Sequence, residues 1–294
     1  MLLFLAGLAV TGAAAAFLRA PGYMDAEYYF MNGQRIAAGE GFTEMVVWNY
    51  LDDPRVLPHP SHTYWLPFTS LVAALGMWVF QRQSFIFAQI PFVLAAACVP
   101  VITYRIAGRI YTDRRNARLA GVLGLLSGFY LAFQGSTSTL GLYMLGGAIF
   151  FLILTTLEGL AETPPQRKWL CMLLGSTAGV LYLTRSDGVL WASAAVAFAL
   201  FYRMRPSENR LVQSAGLRQV VSAAAWVMVG FLVITGFWLA RNVRLFGSLM
   251  PPGSTRTLWL TDYDQMFAFP ADGLTFSAWL SSGLGEILSV RAQS

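Results

Sequence analysis

In this chain of 294 residues, 56% of positions are hydrophobic, only 12% are charged, and the mean hydropathy is positive. That balance excludes an ordinary soluble domain and a disordered segment. The net charge of +5 comes from scattered arginines rather than a contiguous basic face interleaved with aromatics, which argues against a nucleic-acid partner. Apolar runs recur from end to end, so the chain reads as all-α: a polytopic membrane helical bundle forming one integral membrane domain.

The first apolar run, residues 2–18, is near the lower length limit for a spanning helix. Ala13–Ala16 would suit signal-peptide cleavage, the competing reading. No positive charge precedes the run, so it is kept as a helix. Further spans are expected at 85–107, 119–133, 140–157, 170–183, 189–202 and 220–240, about seven in all. Cys98 and Cys171 fall inside such runs, where a thiol acts as a small hydrophobe, so neither a disulfide nor a metal site is inferred from them.

Residues 64–80 are also apolar, and the arginine pattern decides their status. Basic residues crowd three loops: Arg105, Arg109, Arg114, Arg115 and Arg118; Arg167 and Lys168; and Arg203, Arg205, Arg210 and Arg218. All three loops fall on the cytoplasmic side, with the N-terminus, only if 64–80 is a juxtamembrane helix rather than a span. The outer face then receives residues 19–84, 134–139, 184–188 and everything after 241. On this reading residues 1–240 form the transmembrane module, and 241–294 an outer-face segment.

In PGYMDAEYYF, Pro21 and Gly22 favour an extended segment, in which Asp25 and Glu27, at i and i+2, would face one space. A solvated loop with ordinary surface acids is the plainer alternative. From Glu27 onward the sequence reads as a short helix ended by Gly39 and Gly41. The next stretch sets Asp52, Asp53, Arg55, His59 and His62 among aromatics and prolines, a composition that suits a functional loop.

This order of elements resembles the GT-C glycosyltransferases, of the dolichyl-phosphate-mannose protein mannosyltransferase and aminoarabinose transferase branch. It comprises an Asp-x-Glu-type motif at Asp25 and Glu27, a short helix, a His-Pro element at His59–Pro60 opening an interfacial helix, and an arginine-rich turn. The resemblance implies a polyprenyl-phosphate sugar as donor and transfer on the non-cytoplasmic side, with a protein, lipid or polysaccharide as acceptor. It also implies membrane lipids as surroundings and a prokaryotic plasma membrane as location. Family members often carry another carboxylate where this chain has QGSTST at 134–139, so a divalent metal is not assigned. Such relatives continue with further helices, which makes a fragment of a longer enzyme one reading of the chain.

The chemistry also follows from the residue types. A hydroxyl acceptor needs a base, for which Asp25 is the candidate; Glu27 would stabilise the oxocarbenium-like transition state or orient the acceptor. The anionic leaving group needs fixed cations. Arg241, Asn242 and Arg244 after the last span, Arg185 with Asp187 in the TRSDG turn, and Arg256 are candidates for the donor phosphate and substrate. Arginines at span ends also snorkel, and Ser-Asp-Gly is common in turns. His59 and His62 are read as hydrogen-bonding substrate contacts rather than metal ligands. The competing class is a noncatalytic membrane subunit or a transporter; a transporter would place ionisable residues near the bilayer midplane.

Overall fold

The computed structural model describes residues 1–126, 128–159, 164–204 and 217–283, with positions 285 and 289. It is mostly helical, with one two-residue antiparallel strand pair. The helices that matter here are α1 (Leu2–Ala16), α2 (Met24–Ala37), α3 (Phe68–Phe80), α4 (Phe85–Ile110), α5 (Arg114–Leu123), α6 (Leu131–Gln134), α7 (Thr139–Gly159), α8 (Pro164–Thr184), α9 (Val189–Met204) and α10 (Leu217–Phe246). After α10 come two short helices, α11 (Pro252–Arg256) and α12 (Phe276–Ser281). The strands are β1 (Thr43–Glu44) and β2 (His59–Pro60).

Among the described residues, three helices are long and apolar enough to cross a membrane: Phe85–Ile110, Thr139–Leu157 and Val220–Phe246. The expectation of seven continuous spans is therefore corrected. At 1.5 Å per residue, the 15 residues of α1 rise only about 22 Å, short of a hydrocarbon core of about 30 Å. The run 119–133 is not one helix: α5 ends at Leu123, Gly128 takes a left-handed φ of 57°, and a 3₁₀ turn leads into α6. The expected helix over 64–80 begins at Phe68, and His59–Pro60 lies in a strand pair well before it rather than opening it.

Small residues set the packing. A Cβ on Gly175 of α8 would lie 1.8 Å from the Val227 carbonyl oxygen of α10, and one on Gly230 would lie 1.9 Å from the Met172 carbonyl oxygen of α8. These two helices thus meet backbone to backbone, as membrane helices do when no hydrophobic force separates protein from lipid. Around that crossing Phe150, Ile153, Leu174, Ala195 and Val227 build the main core, with Cys171 inside it. A second core joins Ala73 and Met77 of α3 to Phe92 of α4.

The first loop, the start of α2, the turn before α7 and the segment after α10 meet at one end. Ser136 and Thr137 donate to the carbonyls of Pro21 (3.1 Å) and Ala26 (2.8 Å), bracing the start of α2. The segment after α10 lies over the first loop: Ser254 donates to the Thr63 carbonyl (3.0 Å) and the Tyr50 amide to the Met266 carbonyl (2.8 Å). α10 itself continues through Arg241 to Phe246, so a boundary at 240/241 falls inside a helix.

Candidate functional site

Asp25 and Glu27 both lie in the first turn of α2, not in an extended segment. Gly22 adopts a φ of 90° and Tyr23 an extended conformation, so the chain has already turned before Met24. Two carboxylates at a helix N-terminus are favoured by the helix dipole. Residues i and i+2 of a helix diverge by about 200°, so the paired-carboxylate arrangement does not form. The groups acting on the Asp25 carboxyl are Trp65 and Arg185, and Glu27 is not among them.

Asp25 is half-buried, and burial raises its pKa; the neighbouring Trp65 indole and the Arg185 charge act against that rise. One helical turn on, Tyr29 is buried and within electrostatic reach of both Asp25 and Arg185, as are Tyr23 and Tyr64. Arg185, exposed, follows α8, and its Nε donates to Asp187 Oδ1 at 3.2 Å. Tyr143 of α7 donates to the same oxygen at 3.1 Å and accepts from the Trp191 indole at 2.9 Å. Asp25, its basicity raised by burial, thus shares electrostatic surroundings with the Arg185 guanidinium and the Tyr23, Tyr29 and Tyr64 phenols.

His59 and His62 belong elsewhere. His59 lies in the strand pair directly opposite Glu44. Its Nδ1 is 3.7 Å from Glu44 Oε1 and its Nε2 3.5 Å from Asp52 Oδ2, all three side chains being nearly buried. Burial alone would lower the His59 pKa; the flanking carboxylates of Glu44 and Asp52 outweigh it, and the net direction is upward. Burial raises the Glu44 pKa. Because the carboxylates occupy opposite ring nitrogens, their oxygens do not converge. Among the described residues no group of three histidine, cysteine or acidic side chains is placed to hold a metal ion.

His62 is buried at a left-handed φ of 61°. Its ring nitrogens meet Ser61 Oγ (2.7 Å) and Ser70 Oγ (2.9 Å), and its amide donates to Tyr28 Oη (2.6 Å). Burial, with the Arg241 charge, lowers its pKa to about 3, so the ring is neutral near pH 7. Tyr28 stacks against Trp65 at 4.4 Å, which ties this buried network to the indole that contacts Asp25.

Arg241 faces the underside of the same loop. Its Nη2 donates to the carbonyls of Ser61 (2.7 Å) and Phe42 (3.3 Å), and its guanidinium lies 4.3 Å from the Trp238 ring centroid. Asn242 is buried and donates to the Leu249 carbonyl at 3.0 Å, turning the chain after α10. Arg244 is exposed. Arg256 donates to Asp53 Oδ2 (2.5 Å) and to the Leu51 carbonyl (2.8 Å), while Asp53 Oδ1 accepts from the Ala271 amide (2.6 Å). Of the expected cations, the structure brings only Arg185 to Asp25; Arg241 and Arg256 fasten loops.

Sequence reasoning did not single out Tyr29, Trp65 or Glu44. Trp65 and Tyr29 carried only a compositional signal, an aromatic-rich loop and helix, and Glu44 carried none. No protein-family model, no curated protein and no solved structure matches the chain.

Proposed function

We propose that the chain is a membrane glycosyltransferase that moves a sugar from a polyprenyl phosphate to an acceptor hydroxyl, with Asp25 as base. The observation that carries this reading is half-buried Asp25 at the start of α2, its pKa raised by burial, with the charge of exposed Arg185 acting on it and on Tyr29 and Tyr64. The resemblance at Asp25, Glu27 and His59–Pro60 to the GT-C glycosyltransferases supports the same class. The reading carries with it a non-cytoplasmic position for this end, and a cytoplasmic N-terminus, from the arginine distribution.

In the reaction, Asp25 accepts the proton of the acceptor hydroxyl as its oxygen bonds to the anomeric carbon. The bond from that carbon to the phosphate oxygen breaks, and its electron pair leaves with the polyprenyl phosphate. Arg185 is the cation assigned to the growing phosphate charge, since Arg241 is already held by two carbonyls. Tyr64 and Trp65, both partly exposed, supply flat faces for a pyranose ring, and burial strengthens the Asp25 carboxylate as a proton acceptor. Glu27, on another face of α2, is assigned to acceptor positioning only.

The test is release of polyprenyl phosphate from a lipid-linked sugar by the purified chain, compared with Asp25→Asn. Turnover should fall by about 10² to 10⁴, the range for a positioned base, with the thermal midpoint unchanged. Full turnover by the variant would leave Asp25 an ordinary helix-terminal acid. Absence of turnover by the wild-type chain with every lipid-linked sugar offered would favour a noncatalytic subunit.

A further inference from the structure

At the opposite end from Asp25, α4 and α5 enclose a pocket of about 410 Å³. Its polar lining is Tyr104, Arg105, Arg109, Tyr111, Thr112 and Arg114. Gly108 of α4 faces Ala117 of α5 there, a Cβ on the glycine meeting the Ala117 Cβ at 3.8 Å. Arg109 is held in place by α7: its Nη1 donates to the Leu152 carbonyl (2.8 Å) and to the Thr155 and Thr156 hydroxyls. Among the described residues, Arg105 and Arg114 have neither an ion-pair nor a hydrogen-bond partner. The acid in the α4–α5 turn, Asp113, accepts from the Arg115 amide (2.8 Å) as the cap of α5.

The depth of this pocket is set by α4. Counting from Phe85, about twenty residues at 1.5 Å each cover a hydrocarbon core of about 30 Å, which brings Tyr104 and Arg105 to the far boundary. Apolar side chains continue beside the arginines: Ile110, Leu119, Val122 and Leu123 are 62%, 57%, 48% and 59% exposed. A cationic pocket with an exposed apolar wall at the hydrocarbon edge matches a molecule with a phosphate and acyl chains, not a freely soluble anion. We propose that this pocket binds the headgroup of an anionic glycerophospholipid, its phosphate between Arg105, Arg109 and Arg114 and its acyl chains along α5. Basic pockets between membrane helices recognise such headgroups through the same charge-assisted hydrogen bonds. The site is remote from Asp25, and the proposal does not depend on the transferase reading.

The experiment uses the full chain in nanodiscs of phosphatidylcholine alone, of phosphatidylcholine with one-fifth phosphatidylglycerol, and of phosphatidylcholine with millimolar inorganic phosphate. Thermal midpoint and the lipids retained on release into native mass spectrometry are read for each. Wild type should be stabilised and retain phosphatidylglycerol only in the second preparation. Arg105→Gln with Arg114→Gln should weaken that retention at least tenfold, the order for two arginines near an anionic surface. Both side chains are exposed and unpaired, so the fold should survive, and midpoints matching wild type in neutral discs check this. Arg118→Gln, on α5 but outside the pocket lining, should change nothing. Equal retention by the double variant, an equal loss in Arg118→Gln, or full stabilisation by inorganic phosphate would each overturn the assignment.

Discussion

Arg241→Gln separates two roles that the position of this arginine at the end of α10 leaves open in sequence. In the structure its Nη2 holds the carbonyls of Ser61 and Phe42, and its face lies on Trp238. A hydrogen bond from a charged group contributes about 1.5–3 kcal/mol, and the longer one to Phe42 belongs at the weak end. A partly desolvated cation–π contact adds about 1 kcal/mol. Glutamine recovers at most one neutral hydrogen bond, so the net loss is about 3 kcal/mol. At about 2–4 °C per kcal/mol, the unfolding midpoint of the detergent-solubilised chain should fall by roughly 6–12 °C. Arg244→Gln, an exposed neighbour, should fall by about 1 °C or less. Donor affinity of the folded fraction should change little in either variant. An Arg241→Gln chain with a wild-type midpoint and a large loss of donor binding would refute this reasoning and give the arginine to the ligand.

Two further outcomes follow from the loop contacts. Arg256→Met should remove the ion pair to Asp53 and free the segment after α10 from the first loop, seen as faster cleavage of residues 247–275 by added protease; an unchanged cleavage rate would deny the strut. For His59, the folded pKa is raised above its unfolded value, so its stabilisation is full below about pH 6.5 and is lost as pH rises through the folded value. His59→Gln should therefore flatten the fall in thermal midpoint on the alkaline side of pH 6.5, and an unaltered profile would mean that Glu44 and Asp52 do not act on the ring.

The long hydrophobic elements were legible because their signal is local: α4, α7 and α10 enclose the runs expected at 85–107, 140–157 and 220–240. The break in 119–133 was also written in the chain, since Gly121, Gly124 and Gly128 interrupt it, but hydropathy averages over glycine. At α2 the reading took Pro21 and Gly22 as favouring extension through Asp25, whereas those residues only complete the turn. The two acids were themselves a signal for a helix start, because a helix N-terminus favours negative charge. The partners of His59 were not legible. Glu44 meets it through a strand pair of two residues, and Asp52 through a loop whose path depends on Arg256 and Asp53. That Arg241 meets the Ser61 and Phe42 carbonyls was not legible, because spacing does not reveal which groups a guanidinium at the end of α10 faces.

Trp65 joins the buried network to the candidate site, and this fixes how variants there should differ. Its ring lies tilted against Tyr28, whose hydroxyl accepts from the His62 amide, and its indole acts on the Asp25 carboxyl. The next residue on α2, Tyr29, faces the side of Asp25 and Arg185. A half-satisfied buried polar network costs more than a complete one, so losing Arg241 or His62 disturbs the whole loop rather than one contact. The indole would then move, and with it the influence that lowers the Asp25 pKa against the effect of burial. Loop variants should therefore lose stability first and shift the pH dependence of any Asp25-dependent reaction upward, while Asp25→Asn removes that reaction without loss of stability.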